Sequence, residues 1–190
     1  MSLKHFTMFV AAGLFIMAAM ASAQNDPIGK VDTVTLYVSA LSEGKWMISA
    51  HVWNDEELAA IDIPIKYTAG MAKLIVDSVS FVGTRCEGFE QKHSQVDTLG
   101  QKMHFGGFAY MSPNKPPLAV GKGEIGRVYI SAYGDKKPGA FAVDTATVAP
   151  NSTLMLVDKN AKVIVPALKI EIKALTAAKT PPAAVPPKKN

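Results

Sequence analysis

Three acidic residues stand together in NDEELAAIDIPIKY, Asn54 to Tyr67. Carboxylates supply hard oxygens, so Asp55 and Glu57, helped by nearby backbone carbonyls, are candidate calcium ligands. The D-x-D-x-D-G spacing of a dedicated calcium loop is absent. A glycosidase needs two carboxylates facing each other across a cleft. Asp55, Glu56 and Glu57 are adjacent and point in different directions on a turn, while Glu87 and Glu90 of CEGFE offer one acid with no specified mate. The segment therefore reads first as a charged turn, because Asn and Asp bond their own backbone there.

The histidines His51, His93 and His104 show no i, i+2 or i, i+4 pairing within one element. A zinc site would require their strands to be neighbours. Hydrogen-bonded or solvated sheet histidines are the expectation. The chain holds no G-x-S-x-G elbow, so no serine nucleophile is indicated. Gly106-Gly107 in GQKMHFGGFAY lacks the strand–loop–helix setting of a phosphate cradle, and a bulge or bend is expected there. Four aromatics are candidate binding residues: Trp53, Tyr37, Phe108 and Tyr110. Exposed rings of this kind stack on sugars or anchor a protein partner. Trp46 shares its parity with Ile48, Ala50 and Val52 and belongs in the core.

These residues sit on elements that all read as strands. Val34, Leu36 and Val38 alternate with Thr33, Thr35 and Tyr37, and Ile61, Ile63, Ile65 and Tyr67 occupy every second position. Further short apolar runs lie at 74–81, 93–96, 103–105, 125–130, 141–148, 154–157 and 163–172. Period-two patterning punctuated by Gly, Pro, Asn and Asp indicates an all-β sandwich of about nine strands. A Gly100 turn would close a hairpin between two of them. Pro64 cannot donate to a ladder, which places its strand at an edge or a bulge. Asp62 and Lys66 fall on the side away from the isoleucines, toward solvent.

The chain opens MSLKHFTMFVAAGLFIMAAMASAQ. A basic start, an uncharged apolar run and Ala-Ser-Ala make residues 1–23 a signal peptide. The run is shorter than the roughly 20 residues of a spanning helix, so no membrane span is expected after leader cleavage. The product is expected to be secreted, periplasmic or envelope-associated. Residues 24–175 form one domain, and the Pro-, Ala- and Lys-rich 176–190 is a disordered tail. Lys4, Lys179, Lys188 and Lys189 lie outside the domain, which then carries 16 basic and 16 acidic side chains. That balance excludes a nucleic-acid binder. The one cysteine, Cys86, cannot form an internal disulfide and is expected to be a buried thiol.

NDEELAAIDIPIKY, LIVDSVSFVGTR (Leu74 to Arg85), GEIGRVYIS (Gly123 to Ser131) and FAVDTATVAPNSTLMLVD (Phe141 to Asp158) together resemble the cohesin-like domains of secreted bacterial proteins. In that family an Asn-Asp turn runs into a strand of the form I-x-I-P-I-x-Y. The resemblance implies a jelly-roll fold related to carbohydrate-binding modules. It implies a non-catalytic role, with a dockerin-bearing protein as partner, in polysaccharide-handling assemblies. Direct carbohydrate binding through the exposed aromatics is the alternative. No cofactor is implied beyond the calcium considered above.

Overall fold

A computed structural model describes residues 29–109 and 115–173. The leader, the tail and Tyr110 lie outside the described residues. Within them the chain forms eleven strands and no helix: β1 (Thr33–Ser42), β2 (Lys45–Asn54), β3 (Leu58–Ala69), β4 (Lys73–Ser80), β5 (Gln91–Asp97), β6 (Lys102–Phe108), β7 (Gly121–Tyr133), β8 (Phe141–Thr145), β9 (Met155–Asp158), β10 (Val163–Ile164) and β11 (Ala167–Lys173). Sheet A runs β11-β1-β2-β7-β4, and sheet B runs β10-β9-β3-β6-β5 with β8 also paired to β3. The two sheets pack as a jelly-roll sandwich.

Alternation fills the interior. Val34, Leu36 and Val38 of β1 and Ile48, Ala50 and Val52 of β2 meet Ile61, Ile63, Ile65 and Tyr67 of β3, all essentially inaccessible to solvent. Met103 and Phe105 of β6 complete this layer. Each such side chain contributes about 1.5–3 kcal/mol relative to exposure. Trp46 is buried and stacks on Phe141 with ring centroids 4.8 Å apart. Cys86 is buried, as expected.

The expected strand over 163–172 divides in two. Val165 and Pro166 interrupt it, and the chain passes from β10 in sheet B to β11 in sheet A. Proline has no N–H to give a ladder, so the crossing falls where pairing is already lost. β11 then runs parallel to β1, with Thr33 opposite Ala167 and Val38 opposite Ile172.

Two expectations for β3 and β6 are corrected. Pro64 is not on an edge: β3 is central, with β6 on one side and β9 and β8 on the other. Pairing with β9 ends at Asp62 and pairing with β8 begins at Ile65. Pro64 occupies the interval between them, where its missing N–H costs no ladder bond. Gly106 and Gly107 form no bulge, since β6 keeps unbroken register with both β3 and β5. They are needed for space. A Cβ on Gly106 would lie 2.0 Å from the Ile61 carbonyl oxygen, and one on Gly107 would lie 2.1 Å from that of Gln91.

Gly106→Ala is therefore expected to cost at least about 2 kcal/mol in denaturant unfolding. Gly88→Ala, on an exposed loop where an added Cβ meets nothing within 4 Å, is expected to be close to neutral. Equal effects at the two positions would refute the steric account.

The Tyr67 hydroxyl is buried with no hydrogen-bond partner among the described residues. Burial, with Asp97 nearby, pushes its ionisation up to about 12. Burial likewise raises the Cys86 thiol to about 12 against the pull of Arg85 and Lys92. In the unfolded chain these groups ionise near their ordinary values of 10.0 and 9.0. Both folded values are raised, so their contribution to stability is intact below about pH 9 and is lost as pH climbs toward 12. Urea midpoints should hold to about pH 9 and then fall, with a shallower fall in Cys86→Ala/Tyr67→Phe. Tyr67→Phe alone should leave stability unchanged or raise it by up to about 1 kcal/mol at pH 7, because it removes an unpaired buried hydroxyl.

Candidate functional site

The turn between β2 and β3 holds the acidic residues, and the structure separates the two candidate calcium ligands. Asp55 gathers with Asp32 and Glu56, each offering an oxygen within 4.8 Å of the others. The Lys30 amide donates to Asp55 Oδ2 at 2.7 Å, and the Asp55 amide donates to Asp32 Oδ1 at 3.2 Å. The Lys30 bond and a side-chain bond with Glu56 hold the Asp55 carboxyl below its ordinary range. Glu57 lies apart and pairs with Lys159 Nζ at 2.7 Å, tying this turn to the β9–β10 turn. Of the six oxygens of these carboxylates, Asp55 Oδ2 and Asp32 Oδ1 already accept backbone amides, which leaves fewer than the six or more that calcium takes.

Asn54 and Arg85 fix this end of the sandwich. The buried Asn54 amide donates to the Glu56 carbonyl at 2.7 Å and to the Ala119 carbonyl at 3.2 Å. Arg85 donates to Asn54 Oδ1 at 2.9 Å, to the Gly121 carbonyl at 3.1 Å, and to the Ala119 carbonyl. One planar fork thus joins the acidic turn, the loop after β4 and the start of β7. Lysine has no such fork.

The three described candidate aromatics, Tyr37, Trp53 and Phe108, do not form one site. Tyr37 and Trp53 share the outer face of sheet A. With Thr35, His51 and Lys122 they line a shallow depression of about 390 Å³. Tyr37 meets the His51 ring edge-on at 4.9 Å. Trp53 is half-buried beside Thr33 and Lys122 on the flanking strands, so it is no lid on the core. Phe108 is exposed on sheet B, 6.2 Å from the His93 ring.

Beside the sheet A depression lies a polar network that the sequence did not reveal. A bulge in β7 between Gly126 and Glu124 places Glu124 opposite His51, while Arg127 lies opposite Ser49. Residues three apart on a regular strand face opposite ways; the extra residue, Ile125, brings both onto the outer face. Arg127 donates from Nε to Glu124 Oε1 at 2.9 Å and closes a second bond to Oε2. Ser49 donates its hydroxyl proton to the same carboxylate and faces His51 Nε2 at 2.9 Å. Burial works to raise Glu124, but the bonds from Ser49 and Arg127 outweigh it and hold the group low. Burial lowers His51, with Glu124 opposing and Arg127 assisting. This is not a nucleophile triad. The serine stands between histidine and carboxylate, and its proton is already committed to the carboxylate.

The outer face of sheet B carries the second group. Asp62, expected in solvent, is buried. His104 Nδ1 lies 3.0 Å and His93 Nε2 3.8 Å from Asp62 Oδ1. Ser152, in the connection from β8 to β9, donates to Asp62 Oδ2 at 2.6 Å. His104 is a hydrogen-bonded sheet histidine, as expected, and because β5 and β6 are neighbours the condition set for a shared metal site is met as well. The signal that could have found the pair was the Gly100 hairpin itself, which puts His93 in the row next to that of His104 on one face.

No protein-family model matches the chain, and no curated protein matches it. Solved structures do. The sixth cohesin of scaffoldin B from Acetivibrio cellulolyticus, crystallised with a dockerin, is 10% identical with a TM-score of 0.56, over 76% of this chain and 100% of that one. Two type I cohesin–dockerin complexes from Clostridium thermocellum each give a TM-score of 0.52, at 14% and 12% identity. They cover 74% and 78% of this chain and 99% and 98% of theirs. At such identities the likeness is one of fold: the chain has the cohesin jelly roll.

Arg85→Lys is expected to destabilise the protein by roughly 1–3 kcal/mol, since a lysine leaves buried acceptors unmet. Chemical denaturation measures it. A loss under about 0.5 kcal/mol would mean that water replaces the guanidinium bonds.

Proposed function

We propose that this protein is a non-catalytic binding module, exported from the cytoplasm, that holds a dockerin-type protein partner on one outer face of its sandwich. The observation that carries the reading is the coverage. Cohesins solved with dockerins are matched over 98–100% of their length, so the whole of that scaffold has a counterpart here. Export rests on the leader-like residues 1–23. A place in a polysaccharide-handling assembly is the setting that such a partner implies.

The chemistry of the carboxylates supports binding over catalysis. A glycosidase acid must keep its proton at working pH, which takes a raised pKa. Asp55 and Glu124 are both shifted down. At Asp158, burial is outweighed by backbone bonds from Lys162 and Asn160, and that group is low as well. All three carboxylates are held in the ionised form by the donors around them.

A second reading has its own observation. The Tyr37–Trp53 depression offers two half-buried rings beside Lys122 and His51, a surface on which a sugar could stack. Surface titration against purified dockerin modules, with and without chelator, and affinity electrophoresis on soluble polysaccharides separate the two. The expected result is saturable dockerin binding and no retardation on glycans. Trp53→Ala and Phe108→Ala then report the face used, the responsible variant weakening binding by roughly thirtyfold or more. Retardation on a glycan that Trp53→Ala abolishes, with no dockerin bound, would replace the first reading by the second.

A further inference from the structure

We propose that Asp62, His93 and His104 bind one divalent transition-metal ion, zinc being the best fit, on the outer face of sheet B. The inference is independent of the partner reading above. Two imidazoles and a carboxylate are a donor set that suits zinc, whereas calcium wants oxygens only. One nitrogen from each ring and one oxygen of Asp62 lie within 4.8 Å of one another. Two ligands about 2.0–2.1 Å from a tetrahedral zinc stand about 3.3 Å apart. The observed separations from Asp62 Oδ1, 3.0 Å to His104 Nδ1 and 3.8 Å to His93 Nε2, bracket that value.

The backbone builds this convergence. Asp62, Gly106 and His93 form one row across β3, β6 and β5, and Pro64, His104 and Gln95 form the next. Strands two apart in a sheet are separated by roughly 9.6 Å. Asp62 and His93 nonetheless approach to 3.8 Å because Gly106, between them, carries no side chain. That contact is too long for a hydrogen bond, so hydrogen bonding alone does not account for the position of His93.

The surroundings match those of a metal ligand set. In the tautomer protonated at Nε2, His104 donates to Gln95 Oε1 at 3.3 Å and its Nδ1 lone pair is available to an ion beside Asp62 Oδ1. In the other tautomer Nδ1–H donates to Asp62 Oδ1 at 3.0 Å, and binding the ion releases that proton. Ser152 occupies Oδ2 and leaves Oδ1 for the ion. Such outer partners orient ligands in metal sites. Asp62 and His104 are shielded and His93 is the more open side, so the fourth position is left to water.

The test uses tag-free protein stripped with chelator and dialysed. Zinc is titrated by calorimetry, and cobalt by its visible absorption. The expected result is one ion per chain, an intense tetrahedral cobalt band, and a thermal midpoint raised by roughly 5 °C at a hundredfold excess over Kd. His93→Gln and His104→Gln should each weaken binding at least tenfold, and His51→Gln, on the opposite sheet, should leave it unchanged. His93 is half-exposed, so its replacement keeps the test sound if His104→Gln fails to fold. No saturable zinc binding, or binding that survives in His93→Gln, would overturn the proposal.

Discussion

Strand β3 must turn Ile61, Ile63, Ile65 and Tyr67 toward sheet A, and a slip of one residue would turn all four outward. That constraint fixes more than the core. Asp62 and Pro64, on the alternate positions, then lie outward, opposite Gly106 and His104. The interior of the sandwich thereby sets which polar groups meet on its surface. Pro64 follows from the same strand: β3 is too long for either β8 or β9 alone, and the proline takes the interval between their ladders.

Each outer face then acquires its own chemistry from a local departure in the sheet. On sheet A the departure is the β7 bulge, which turns Glu124 and Arg127 to the same side and lets Ser49 join them. The outcome is a satisfied, ionised cluster beside two aromatic rings. On sheet B the departure is a missing side chain, Gly106, which lets groups from strands two apart come together. One face is stiffened by paired charge, and the other gathers nitrogen and oxygen donors at one point.

The alternation along β1, β2, β3, β6 and β7 is local information, and it was enough to read the strands and the core placement of Trp46 from the sequence; the burial of Cys86 was read from its residue type. What could not be read was lateral. Pro64 looked like an edge residue because its strand's neighbours on that side are β9 and β8, more than seventy residues away. The split of 163–172 was marked by Pro166, but only the change of sheet explains it. The β7 bulge has no signature in GEIGRVYIS beyond its glycines. Among the candidate site residues, Tyr37 and Trp53 met, Phe108 went to the opposite sheet, and Asp55 and Glu57 parted because Lys159 claimed the second.

The two clusters also show why residue types alone do not name a chemistry. Ser49, His51 and Glu124 are the types of a hydrolase triad, yet the order of their contacts is wrong for one: the carboxylate accepts from the serine, and the imidazole touches the serine and not the carboxylate. Asp62, read along the chain, suggested a solvated side chain, and His93 and His104 suggested hydrogen-bonded or solvated ones. In space, one ring offers its second nitrogen to Gln95 while the first looks at a carboxylate oxygen, and the other ring stands at co-ligand distance. What separates the two cases is what the carboxylate faces. In the first, Ser49 and Arg127 already donate to both oxygens of Glu124. In the second, one oxygen of Asp62 takes Ser152 and the other faces two imidazole nitrogens at distances that suit co-ligands of one ion.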